Sequence, residues 1–128
     1  IAQKASFTAI DSDPQSIPEF KLMLDAFRER RDLLLSLLKE IPGIGTNVPD
    51  GAFYVFMDVK NYFGKSNGTT TIKGSDDLSM HLLNNAHIAM VPGTAFGDPN
   101  CLRFSYATSK EKIIEAVKRL KDALEKFK

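Results

Sequence analysis

The chain has 128 residues, with 17 Lys and Arg against 16 Asp and Glu, a formal net charge of +1 and 43% apolar residues. That length suits one ordinary domain with a core of its own. The balanced charge, with no block of one sign, argues against nucleic acid or an anionic membrane surface as partner.

Cys101 is the single cysteine; it excludes an internal disulfide and a cysteine-rich metal site, and suits a reducing compartment, the cytoplasm by default. No apolar run is long enough to span a bilayer, and nothing at the start reads as an export signal. The sequence opens on Ile1 rather than methionine, which is read as a piece cut from a longer protein.

Residues 1–10 read as a short helix closed by the turn formers Asp11 to Pro14. Ser16 and Glu19 form a capping-box pattern around Pro18, so a long helix is expected to start there. Its apolar stripe is Phe20, Met23, Leu24, Phe27, Leu34, Leu38 and Ile41, with Pro42-Gly43 as the stop. Ala52 to Val59 is rich in aromatic and β-branched residues and reads as a buried strand. Asn61 to Gly74 has no period and many turn formers, and reads as a loop or insertion.

Ser75-Asp76-Asp77 opens a second helix with Leu78, Leu82 and Leu83 inward and fraying near Asn84-Asn85. His87 to Val91 and Cys101 to Ala107 read as two more strands. Thr108 and Glu111 form a second capping box, starting a helix that buries Ile113, Val117, Leu120, Leu124 and Phe127. Pairs Glu115–Arg119 and Asp122–Lys126 are expected on its wet face. This order predicts an α+β, two-layer domain: a small, mostly antiparallel sheet of three to four strands covered on one side by helices.

Alternation along the last strand sends Leu102, Phe104 and Tyr106 to one face and Cys101, Arg103 and Ser105 to the other. Arg103 is then a lone cation on a rigid element, suited to grip a carboxylate with its planar fork. Spacing alone favours a plainer reading, a solvated face on which Arg103 is an ordinary surface residue or pairs with an acidic neighbour. The loop after Pro92-Gly93 does not match a phosphate cradle. His81 and His87 lack further ligands at metal spacing. Lys110 falls in the first turn of a helix, where nothing would depress its pKa for Schiff-base chemistry.

Taken in order, IAQKASFTAI, FRERRDLLLSLLKEIPGI, PDGAFYVFMDV, DDLSMHLLN and IAMVPGTAFGDPNCLRFSYATSKEKIIEAVKRL resemble the C-terminal part of class I aminotransferases. These are fold-type I enzymes dependent on pyridoxal 5'-phosphate, and the likeness is to bacterial aspartate aminotransferases in particular. The resemblance implies that residues 15–128 form the small C-terminal domain and residues 1–14 the end of a helix linking it to a larger one.

It also implies that Arg103, in the R-x-S-x-A strand, binds the substrate α-carboxylate, with Phe53 of GAFY near the substrate. Amino acids and 2-oxo acids would be the small-molecule partners, and a homodimer the full-length form. The Schiff-base lysine and the cofactor's other ligands would precede Ile1, leaving this piece inactive alone. Asp98 to Leu102 is shorter than in many relatives, which bears on substrate preference. Three other expectations stand beside this one: another fold-type I enzyme, a ligand-sensing domain of a transcription regulator, or a free-standing α/β domain that binds small acids or a protein partner.

Overall fold

A computed structural model describes all 128 residues. Four helices, α1 (Ala2–Asp11), α2 (Pro18–Leu38), α3 (Ser75–Ala86) and α4 (Lys110–Leu124), accompany four strands, β1 (Gly45–Thr46), β2 (Tyr54–Asp58), β3 (Val91–Pro92) and β4 (Cys101–Ser105). The sheet is antiparallel throughout in the order β1-β2-β4-β3. The α+β, two-layer expectation therefore holds.

Strand alternation builds the two layers. Val55, Met57, Leu102 and Phe104 turn inward and join Leu34, Leu38, Leu78, Leu82, Ile113, Val117, Leu120 and Leu124 in one buried cluster. The other sheet face carries Tyr54, Phe56, Asp58, Arg103 and Ser105, none of them buried. The inner face is thus saturated by helices, and the outer one is where polar chemistry can sit.

Several local expectations are corrected. The capping box at Ser16 does not form: its hydroxyl donates to the Asp13 carbonyl, and Ile17 takes the N-cap without a side-chain bond. Pro18 explains this, because the residue before a proline is forced towards extended geometry, and Ile17 lies at φ −101°, ψ 107°. At α4 the cap shifts by one: Ser109 accepts from the Lys112 amide at 3.4 Å. Its hydroxyl is also the main reason the Glu111 carboxyl is held below its usual range.

The expected strand over His87 to Val91 shrinks to Val91–Pro92. His87 closes α3 in the left-handed region at φ 55°, and the backbone beyond it bonds to α3 instead of a ladder. Ile88 N–H donates to the Leu82 carbonyl, and Ser79 Oγ to the Met90 carbonyl at 2.8 Å. α3 itself runs on past Asn84-Asn85 to Ala86, and Leu83 faces solvent while Ser79 is buried. β2 starts at Tyr54 rather than Ala52, since Ala52 has φ 59°. Glu115–Arg119 forms at 2.8 Å; Asp122–Lys126 is not among the ion pairs. The stretch from Asn61 to Gly74 is a loop that nevertheless buries Tyr62 and Ile72.

The stripe of α2 is covered only in part. Leu34 and Leu38 are buried, as is Ile41 just beyond the helix, but Met23 and Leu24 are exposed. α1 buries no residue. No helix is long and apolar enough to cross a membrane.

Candidate functional site

Arg103 lies in the middle of β4, directly opposite Phe56 of β2 on one side and Val91 of β3 on the other. All three therefore share the outer face of the sheet. The side chain is half-buried. Its guanidinium carbon lies 4.3 Å from the Tyr54 ring centroid and 4.3 Å from that of Phe96. Both distances are inside the range where a ring quadrupole attracts a cation. Arg103 joins none of the five ion pairs of the chain, so its charge has no internal carboxylate partner.

Phe96 reaches this position from the loop after β3. Gly93 to Phe96 form one 3-10 turn, and Gly97, at φ 86°, ends it in the left-handed region that glycine adopts freely. Gly93 is the closest-packed point: a Cβ there would stand 2.0 Å from the Asp98 carbonyl oxygen and 2.6 Å from that of Cys101. Thr94 Oγ1 donates to Asp76 Oδ1 at 3.2 Å, tying the loop to the first turn of α3.

Asp98 organises the rest of the loop. Its Oδ1 accepts from the Asn100 amide at 3.0 Å and its Oδ2 from the Cys101 thiol at 3.3 Å. Those bonds, the amide first, hold the Asp98 carboxyl below its usual range. The Cys101 thiol moves the other way, up to about 12, through burial first and then its bond to the carboxylate. A depression of about 380 Å³ beside it is lined by Thr46, Asn47, Phe56, Asp58, Asp98 and Cys101 among others. Of its two carboxylates, Asp58 is paired with Lys60 Nζ at 3.1 Å, and Asp98 is engaged by Asn100 and Cys101.

Phe53 sits just before β2, where its carbonyl accepts from the Tyr106 amide at 2.9 Å. Its ring partners are Tyr54, at 4.3 Å between centroids, and Phe27 of α2, at 6.2 Å. The two expected site residues are thus linked through Tyr54. From the sequence, Tyr54, like Phe53, is an aromatic at a strand start that can line a pocket but is more often core; Phe96, an aromatic in a loop, carries no signal of its own. The available signal was parity, since Tyr54 shares the odd-even phase of Phe56, the residue opposite Arg103.

The remaining candidates lie elsewhere. His81 packs edge-on to Phe127 at 4.9 Å, with its pKa lowered by burial and then by Lys126. Lys110 is exposed and pairs with Glu29 of α2.

The family model described as "Aminotransferase class I and II" matches residues 1–120. A bifunctional aspartate aminotransferase and glutamate/aspartate-prephenate aminotransferase of Petunia hybrida is 42% identical over 97% of this chain and 26% of its own length. A probable aspartate/prephenate aminotransferase of Aquifex aeolicus is 40% identical over 96% of this chain and 30% of its own. Among solved structures, the aspartate aminotransferase of Rhizobium meliloti superposes with a TM-score of 0.88 at 36% identity, covering 98% of this chain and 31% of that one. The chain thus spans about a quarter to a third of the proteins it matches. The family match over nearly its whole length, on a fold shared at this level of identity, makes the chain a member of the class I and II aminotransferases.

Proposed function

We propose that this chain is the substrate-clamping part of an aminotransferase that moves an amino group between an amino acid, aspartate or similar, and a 2-oxo acid. Residues 15–128 are the small domain, and residues 1–14, whose helix buries nothing within the chain, belong to the segment joining it to the rest. The observation that carries the reading is Arg103: a half-buried cation on a strand, stacked between rings, with no carboxylate of its own. Both substrates of a transamination bear a carboxylate beside the reacting carbon. A guanidinium fork accepts its two oxygens in a bidentate geometry. Phe53 borders the substrate from the start of β2. The substrates named for the relatives, aspartate, glutamate and prephenate, are all acids, and those names favour the enzyme over the ligand-sensing alternative. The whole protein works as a homodimer, as the family resemblance implies.

Pyridoxal 5'-phosphate would supply the electron sink that transamination requires. Its attachment uses a lysine amine activated by desolvation or by a neighbouring cation; no lysine of this chain is buried, and Lys110, the one weighed for the role, is exposed and paired with Glu29. The lysines present do not fit that attachment. The residues of this chain bind and orient the acid end of the substrate, while the attachment lysine lies in the rest of a longer protein.

The test is Arg103→Leu in the full-length enzyme. Loss of a charge pair of this kind is expected to lower kcat/KM by about a hundredfold, or about 2.7 kcal/mol. A kcat/KM equal to that of the parent enzyme defeats the proposal.

A further inference from the structure

We infer that Tyr54 and Phe96 are positioning residues that hold the Arg103 guanidinium between two aromatic faces, so that its N–H edge is presented to an incoming carboxylate. The inference rests on the carboxylate-clamp reading above and adds two residues to it. Each ring centroid is 4.3 Å from the guanidinium carbon. The two rings do not pair with each other: Tyr54 meets Phe53 and Phe96 meets Phe56, so the cation lies between them.

The chemistry of this arrangement differs from that of an internal ion pair. A carboxylate neighbour would fix the side chain but would occupy the very donors a substrate needs. Aromatic faces attract the planar cation without accepting its in-plane hydrogen bonds. The five N–H groups therefore stay available in a fixed fork. The rings also displace water from the two faces of the group, which strengthens its attraction for an anion. Phe96 gains a role that packing does not give it, since this large apolar side chain is 51% exposed. Its loop is anchored at both ends, by the tight fit at Gly93 and by the Asp98 turn.

The experiment uses the full-length holoenzyme with Phe96→Leu, Tyr54→Leu, Phe96→Trp and Arg103→Leu. KM and kcat for the amino acid are measured, together with inhibition constants for butyrate and for uncharged butyramide. Phe96→Leu and Tyr54→Leu are each expected to weaken butyrate about tenfold, which is about 1.4 kcal/mol. The loss falls on KM rather than kcat, butyramide binding does not follow, and Phe96→Trp recovers the parent behaviour. If both leucine variants bind butyrate as the parent does while Arg103→Leu does not, the sandwich has no positioning role and this inference alone fails. Equal weakening of butyrate and butyramide, or no recovery with tryptophan, means general loosening and also overturns it. If Arg103→Leu binds butyrate normally, the clamp reading beneath it falls as well.

Discussion

The hydroxyl of Tyr106 donates to the carbonyl of Ala52 at 3.1 Å, joining residues 54 positions apart. The Tyr106 amide donates in turn to the carbonyl of Phe53 at 2.9 Å. Together the two bonds fasten the exit of β4 to the turn that launches β2. Ala52 occupies the left-handed region at φ 59°, which an L residue with a Cβ enters only when its surroundings demand it. The turn sets where Phe53 and Tyr54 begin, so the clasp also sets the position of one ring against Arg103.

Tyr106→Phe removes the hydroxyl bond and leaves the ring in place. Tyr106 is 2% exposed but Ala52 is exposed, so water takes the place of the hydroxyl at the freed carbonyl and only the ordinary net worth of the bond is lost. The expected cost is about 0.5–1.5 kcal/mol, read as a lower urea midpoint at unchanged slope. Stability equal to the parent would mean that the clasp contributes nothing and that Ala52 is held by packing alone.

Gly93→Ala tests the loop that carries Phe96. An added Cβ would meet two backbone oxygens at 2.0 and 2.6 Å, and neither can rotate away as a side chain could. The loop must shift, at a cost of about 1–3 kcal/mol, and Phe96 leaves the face of Arg103. A crystal structure of the variant with Phe96 still 4.3 Å from the guanidinium would contradict this account.

Much of this architecture was legible because it follows from periodicity. Ile113, Val117, Leu120, Leu124 and Phe127 are all buried as their spacing required, and alternation in β4 put Leu102 and Phe104 inward with Arg103 outward. Element ends were less legible, because they depend on single dihedral angles. Pro18 moved the cap from Ser16 to Ile17, and His87 entered the left-handed region although it carries a Cβ. β1 was missed since two residues, Gly45 and Thr46, hold no pattern, and their pairing with β2 is set by tertiary contact. For the site, Arg103 could be assigned a face but not its neighbours. That Phe96 arrives from a loop five residues before β4 is a property of the folded chain.

Cys101 is expected to be unreactive in the folded protein. Burial and the Asp98 carboxylate push its thiol up to about 12, so at pH 8 only about one molecule in ten thousand carries the thiolate. Iodoacetamide labelling of the peptide containing Cys101, followed by mass spectrometry, should be slow in the native state and ordinary in denaturant. The pH dependence is one-sided: raising pH from 7 towards 10 increases native labelling steadily without a plateau. Labelling that saturates near pH 9, as for a free thiol, would show that the burial of Cys101, and with it the Asp98 contact, does not persist in solution.

Ser75→Ala carries a prediction opposite in sign to most core substitutions. Ser75 is 1% exposed, and its Oγ is the one buried side-chain polar atom without a hydrogen-bond partner. It occupies the first position of α3, after Gly74, which itself supplies no side-chain cap. The hydroxyl has therefore given up water and gained nothing, and desolvation of such a group costs about 1–3 kcal/mol. Alanine keeps the Cβ, removes the orphaned oxygen and favours the helix more strongly. The cavity left is about one oxygen atom in size, so its penalty does not cancel the gain. A rise in stability of about 1 kcal/mol is expected, measured as a higher urea midpoint for Ser75→Ala than for the parent. A fall of that size would mean that the hydroxyl holds a bond in solution, to water or to the chain, that makes its burial favourable.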